Sequence, residues 1–239
     1  MPDNEQKSNE TDQQALTVSR FINGISLLAV DHKNLRGLII KGRSSPMRQD
    51  IFRSVAKLFN NYKFQKIHPQ VLDSELFGGL DFARTFETGR PVRTCGYLNQ
   101  NNSLILLSMA ERLDSNLVSK YSKALDVNKD LKFIVSDESA ENENINDALT
   151  DRLAFYLSIE NIRYTQAENI SFNLTKIASA KKALPSISID TTAIKTLTEV
   201  SLKLGIDSLR APILASYVAR ASAAFSNNSE ILEKDILTS

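Results

Sequence analysis

Residues 36–59, RGLIIKGRSSPMRQDIFRSVAKLF, constrain the fold more than any other stretch of the chain. A short apolar run over 37–40 leads to Gly42. A polar loop containing Pro46 follows, then an amphipathic helix with Ile51, Val55 and Leu58 on one face. That is the strand–loop–helix outline of the phosphate-binding loop GxxxxGK[ST]. The first glycine is present, but the remaining motif positions read Met47, Arg48 and Gln49. In a working loop the second glycine lets backbone N–H groups close on the phosphates. The lysine reaches the outer phosphates, and the hydroxyl holds magnesium. Here Met47 puts a side chain where none fits well, Arg48 replaces the lysine and Gln49 replaces the hydroxyl. Taken by itself, 42–49 reads as a strand-to-helix turn rather than a nucleotide site.

The remainder of the chain alternates strands with helices and then changes character. The polar, acidic residues 1–14 read as a disordered tail. Residues 15–30 carry Leu16, Phe21, Ile25 and Leu28 at helical spacing. Gly78-Gly79 makes a corner before a short helix over 80–87, which Gly89 stops. The apolar pair Tyr97-Leu98 and the run 104–107 flank a polar tip, a hairpin signal. The runs 104–107 and 131–135 are continuously apolar, as in strands covered on both faces. A helix over 110–125 separates them, and residues 148–152 lead into another apolar run over 153–159. Beyond 166 only helices are expected, over 172–183, 191–204 after Asp190, from Pro212 to Phe225, and over 229–237. The pattern predicts a three-layer α/β domain with a mostly parallel sheet over 15–162, a boundary near 162–166, and a helical domain over 166–239.

Composition narrows the partners. A formal net charge of +1 across 239 residues offers neither a nucleic-acid field nor an attraction to membranes. No apolar run approaches the roughly 18 residues of a membrane span. The single cysteine, Cys95, excludes an internal disulfide and reads as a small half-buried apolar residue of a cytoplasmic protein. With His32 and His68 as the only histidines, no metal site is expected.

The segments GGLDFARTFETGRPV, GYLNQNNSLILLSMAERLD, LTDRLAF and LGIDSLRAPILASYVARASAAF carry a more specific signal. In order along the chain they resemble the N-terminal AAA+ module of the magnesium chelatase D-subunit family. LGIDSLRAP is the most specific part, and the likeness covers nearly everything from Ala15 to Ile236. The resemblance implies an AAA+ type P-loop fold with a C-terminal helical lid. It also implies a role in chlorophyll or bacteriochlorophyll synthesis, in a cytoplasm or a plastid stroma. The hydrolytic Asp-Glu pair of the family's I subunits falls on Ser108 and Met109 here. Neither can orient magnesium or take a proton from water. Glu111, two residues on, reads as a solvated helix residue, and Ser136-Asp137-Glu138 stand where a sensor asparagine is expected.

Two arginines match the family's functional positions. Arg152 in LTDRLAF falls where an arginine reaches across a subunit interface toward a neighbour's γ-phosphate. Arg210 in IDSLRAP falls at the lid arginine, able to meet phosphate from the lid side. Each also reads as a plain salt-bridge residue. The expectation is therefore a non-hydrolysing subunit, with Gly42, Arg48, Gln49 and Arg210 as a degenerate nucleotide site and Arg152 acting in trans. Arg48 leaves room for weak nucleotide binding without turnover; otherwise ATP and magnesium come with partner subunits. Those partners are the I subunit ring and the porphyrin-binding H subunit. The alternatives are an active MoxR-like ATPase and an adaptor that never meets nucleotide. The D-subunit family continues into an acidic, proline-rich linker and an integrin-type domain. The sequence ends at Ser239 before either, so it reads as a fragment or a truncated relative.

Overall fold

The computed structural model describes the backbone of residues 3–164 and 170–239, and the side chains of these from residue 16 onward. In chain order come helices α1 (Asp3–Val30) and α2 (His32–Leu35), strand β1 (Gly37–Lys41), α3 (Pro46–Leu58) and β2 (Lys63–Ile67). An excursion through α4 (Asp73–Phe77) and α5 (Phe82–Thr88) leads to β3 (Ser103–Leu107). Then follow α6 (Ser115–Val127), β4 (Leu131–Asp137), α7 (Asp147–Thr150) and β5 (Phe155–Ser158). The last part holds α8 (Leu174–Ala183), α9 (Thr191–Lys203), α10 (Arg210–Phe225) and α11 (Glu233–Thr238). The boundary expected near 162–166 and the start of the helical region fall partly on residues outside this description, 165–169.

The five strands pair in parallel in the order β2-β3-β4-β1-β5. The apolar runs behave as read. Every residue of β3 and β4 is buried, as are four of the five in β1. Because successive side chains in a strand point to opposite faces, these runs feed two cores. Leu38, Ile40, Leu104, Leu106 and Ile134 pack with α1, α3, α8 and α10 on one face. Ile39, Ile105, Leu107, Phe133 and Val135 pack with Leu117, Val118, Tyr121 and Leu125 of α6 on the other. The expected three layers are present.

Four local features differ from the reading of the sequence. The pair Tyr97-Leu98 forms no hairpin arm: it lies in a short 3-10 turn, and buried Leu98 joins the core beneath β3. Strand β2, KFQKI, has no apolar run to announce it because it is an exposed edge. Cys95 is exposed rather than half-buried. The first helix also begins upstream of residue 15, at Asp3, across a stretch with no Pro or Gly to stop it.

Candidate functional site

The loop after β1 is shaped by close approaches. The N–H of Gly42 donates to the carbonyl of Asp137 at 3.0 Å. A Cβ on Gly42 would lie 2.4 Å from Cγ1 of Ile159, so the position has room only for glycine. Ser45 then caps α3, its hydroxyl accepting from the N–H of Arg48 at 3.2 Å, and Pro46 fills the first helical position. Gln49 sits half-buried in the first turn. A cavity of about 450 Å³ opens at this loop, lined by Gly42, Arg43, Ser45, Met47, Glu160 and Ile162. A phosphate cradle needs free backbone N–H groups. Pro46 has none, that of Gly42 serves the sheet, that of Arg48 serves the cap and that of Gln49 bonds the carbonyl of Ser45, so any cradle falls to Arg43, Ser44, Ser45 and Met47.

Arg48 does not point into this cavity as a free cation. Its Nη1 donates to the carbonyl of Gly42 at 2.8 Å and its Nη2 to Oε1 of Glu138 at 2.8 Å. The guanidinium also lies over the ring of Phe52, 5.6 Å from the centroid. The arginine side chain is 4% exposed and its glutamate partner 21%. The N–H of Glu138 in turn donates to Oε2 of Glu111 at 3.1 Å. Glu111 is therefore not a solvated helix residue: its side chain is fully enclosed. The cause is Met109, whose left-handed φ of 51° turns 110–112 into a 3-10 turn before α6 starts. Ser108 is buried alongside. At the end of β4, burial pushes the Asp137 carboxyl up. Hydrogen bonds from Tyr156 (2.5 Å) and from the N–H of Ser139 (2.9 Å) outweigh that and hold it below the usual carboxylate range.

The two arginines expected to serve phosphate lie at the other end of the sheet. Arg36 precedes β1 and Arg152 precedes β5, whereas Gly42 follows β1. At about 3.3 Å per residue, β1 alone separates these ends by roughly 16 Å. Arg152 grips Asp126 of α6 with both forks, Nε to Oδ1 at 3.0 Å and Nη2 to Oδ2 at 2.7 Å, and donates from Nη1 to the carbonyl of Ala148. Arg210, at the start of α10, reaches the same Asp126 at 3.2 Å and Asp151 at 3.4 Å. Hydrogen bonds from Arg152 are the main reason the Asp126 carboxyl sits below the usual carboxylate range. The structure thus brings Arg152 and Arg210 together and keeps both away from Gly42, Arg48 and Gln49. Among the described residues no group of three or more His, Cys, Asp or Glu could hold a metal ion.

Residues 194–238 match the AAA lid domain family. The chain is 35% identical over 213 residues to the magnesium-chelatase 60 kDa subunit of Cereibacter sphaeroides, a match covering 89% of this chain. It is 32% identical over 219 residues to the same subunit of Rhodobacter capsulatus, covering 91%. The chain is a relative of the magnesium-chelatase 60 kDa subunits. It spans 38% and 39% of the length of those two relatives. A crystal structure described as that of a candidate ATPase from Cytophaga hutchinsonii superposes with a TM-score of 0.66 at 17% identity, over 99% of this chain and 87% of that one. The architecture is the AAA+ α/β fold with a helical lid. Among the described residues, no helix of this chelatase relative is long and apolar enough to cross a membrane.

Sequence reasoning missed the partners of the arginines in this chelatase relative. Glu138 lies 90 residues from Arg48. Glu111 and Glu138 meet because β3 and β4 are adjacent and parallel, with Leu107 beside Val135, so the residues just beyond them share one rim. Asp126 did leave a trace: it is an acid in the last turn of α6, the helix end where acids are unfavourable. A residue that breaks a local rule invites the search for a distant partner.

Proposed function

We propose that this chain is a non-hydrolysing AAA+ subunit of a magnesium chelatase. It packs beside the ATPase I subunit and supports ATP-dependent insertion of Mg²⁺ into protoporphyrin IX held on the H subunit, in the cytoplasmic synthesis of bacteriochlorophyll. The observation that carries this reading is the arginine at the lysine position. Arg48 is bound internally at both ends, to the carbonyl of Gly42 and to Glu138, and so is committed to the fold rather than to a phosphate. Ser108 and Met109 stand where catalysis needs a magnesium-holding Asp and a water-activating Glu. Nucleotide at this loop is weakly held and not turned over.

What the chain offers its neighbour is the arginine pair. Arg152 and Arg210 are held side by side on Asp126 and are less buried than Arg48, so once that carboxylate gives way their planar, permanently charged forks suit the charge that spreads over phosphoryl oxygens during transfer. Their place at the end of the sheet opposite the chain's own loop suits service to a nucleotide held by another subunit. The names of the relatives, subunits of a magnesium chelatase, support the same assignment.

The test is the ATPase rate of the I subunit titrated with this chain, beside the chain alone. The chain alone is expected to be silent and to change its partner's rate. Arg152→Ala should remove at least nine-tenths of that change. Turnover by the purified chain alone would falsify the non-hydrolysing assignment, and a partner rate indifferent to Arg152 would leave only an adaptor.

A further inference from the structure

The arginine pair is not idle in the isolated chain. Asp126 accepts two hydrogen bonds from Arg152 and a third contact from Arg210, so one carboxylate spans both guanidinium groups. A planar carboxylate gripped bidentately is the geometry these forks would offer two oxygens of a phosphoryl group. Three further features show that the arrangement is built. Arg36 is anchored on the carbonyls of Leu125 and Asn128, the latter at 2.7 Å, which brings a third guanidinium beside the carboxylate's own helix. Asp151 ties Arg210 from the other side and accepts from the hydroxyl of Ser208. A cavity of about 220 Å³ opens onto the cluster, lined by Arg36, Asp126, Asp151, Arg152, Arg210 and Tyr217.

We propose that Asp126 is a built-in stand-in for phosphate. It holds Arg152 and Arg210 in register while the site is empty and is displaced when a polyphosphate enters. It is a positioning residue, and the inference rests on the assignment of the two arginines given above. Without a counter-ion, two guanidinium groups would repel one another and splay apart. With one, they are held in the spacing a polyphosphate needs, at the cost of competing with it. The carboxylate carries one negative charge and a polyphosphate several, so the incoming anion wins the exchange. The site is off at low phosphate density and on when a neighbour presents its nucleotide.

The experiment uses metal-free tripolyphosphate and the intact chain at fixed ionic strength, with binding read by calorimetry. Asp126→Asn is expected to bind at least tenfold more tightly than the parent, because the competitor has gone while the arginines remain. Asp73→Asn provides the charge-matched control, since Asp73 pairs with Lys120 elsewhere on the surface. It should leave the affinity unchanged. Arg152→Ala in the Asp126→Asn background should abolish the gain. No gain over Asp73→Asn, or a gain that survives Arg152→Ala, overturns the proposal. Should Asp126→Asn not fold by circular dichroism, the parent decides: tripolyphosphate must shift the side-chain Nε–H NMR signals of Arg152 and Arg210 together. Signals that stay fixed overturn the stand-in role. Exchange at Asp126 combined with a partner ATPase indifferent to Arg152 would keep the anion site and discard the neighbour's nucleotide as its ligand.

Discussion

Arg48 illustrates how one side chain can tie a loop to the structure around it. A lysine is a point charge on a flexible stem, but a guanidinium has donors enough to satisfy a carbonyl and a carboxylate at once. It does both here, to Gly42 and Glu138, while nearly buried. Losing one partner of such a pair leaves an uncompensated charge, whereas replacing both with apolar groups costs much less. Glu138→Gln is therefore expected to lower unfolding free energy by about 2–3 kcal/mol in urea titrations. Arg48→Met added to Glu138→Gln should restore part of that loss, giving a coupling energy above about 1 kcal/mol. Additive losses would mean that the pair is not coupled.

Between elements, the docking of α2 onto the end of α3 carries a titration. His32 packs edge-on against Phe59, 6.2 Å between centroids, and Tyr62, 5.7 Å. Burial, aided by Lys181 and Lys132, lowers its pKa from 6.5 to about 4. The folded state thus prefers the neutral ring. Above pH 6.5 both states are neutral and the contact is undisturbed. Between 6.5 and about 4 the unfolded chain takes up a proton that the folded chain refuses, and stability falls by about 2–3 kcal/mol. The midpoint of urea unfolding should drop across this window in the parent and drop less in His32→Gln. A parallel decline in both would place the titration elsewhere.

The same scale shows what the sequence could and could not convey. Strands β1, β3 and β4 were legible because central strands of a parallel sheet are apolar on both faces, and GLIIK, SLILL and LKFIVSD are just that. Strand β2 was not, since an edge strand exposes one face and KFQKI looks like loop. Of the candidate site residues, Gly42 and Arg48 come from motif spacing and Arg152 and Arg210 from family likeness, and the fold sets the two pairs at opposite ends of the sheet. Asp126, Glu111 and Glu138 do not, because their roles arise from which strands and helices become neighbours. No local window contains both Arg48 and Glu138, or both Asp126 and Arg210.

For the whole molecule, α1 is the element that both halves share. Its buried residues Phe21, Ile25 and Leu28 belong to the core that β1, α8 and α10 also build. Just beyond it, buried Asp31 accepts from Arg220 of α10 at 2.6 Å. The composition change near residue 166 suggests two domains, yet α1 packs on both, and α10 also meets α2, Asp126 and Asp151 directly. Calorimetry should accordingly show one endotherm, with van't Hoff and calorimetric enthalpies equal. Two resolved transitions would contradict that. The helical lid is accordingly expected to lack stability of its own: severing the chain near residue 166 would strip apolar surface from α1 and α10 alike, and neither piece should hold its native packing alone. Because the first helix packs on the sheet and on the helical lid alike, any movement that levers the lid must also load the sheet.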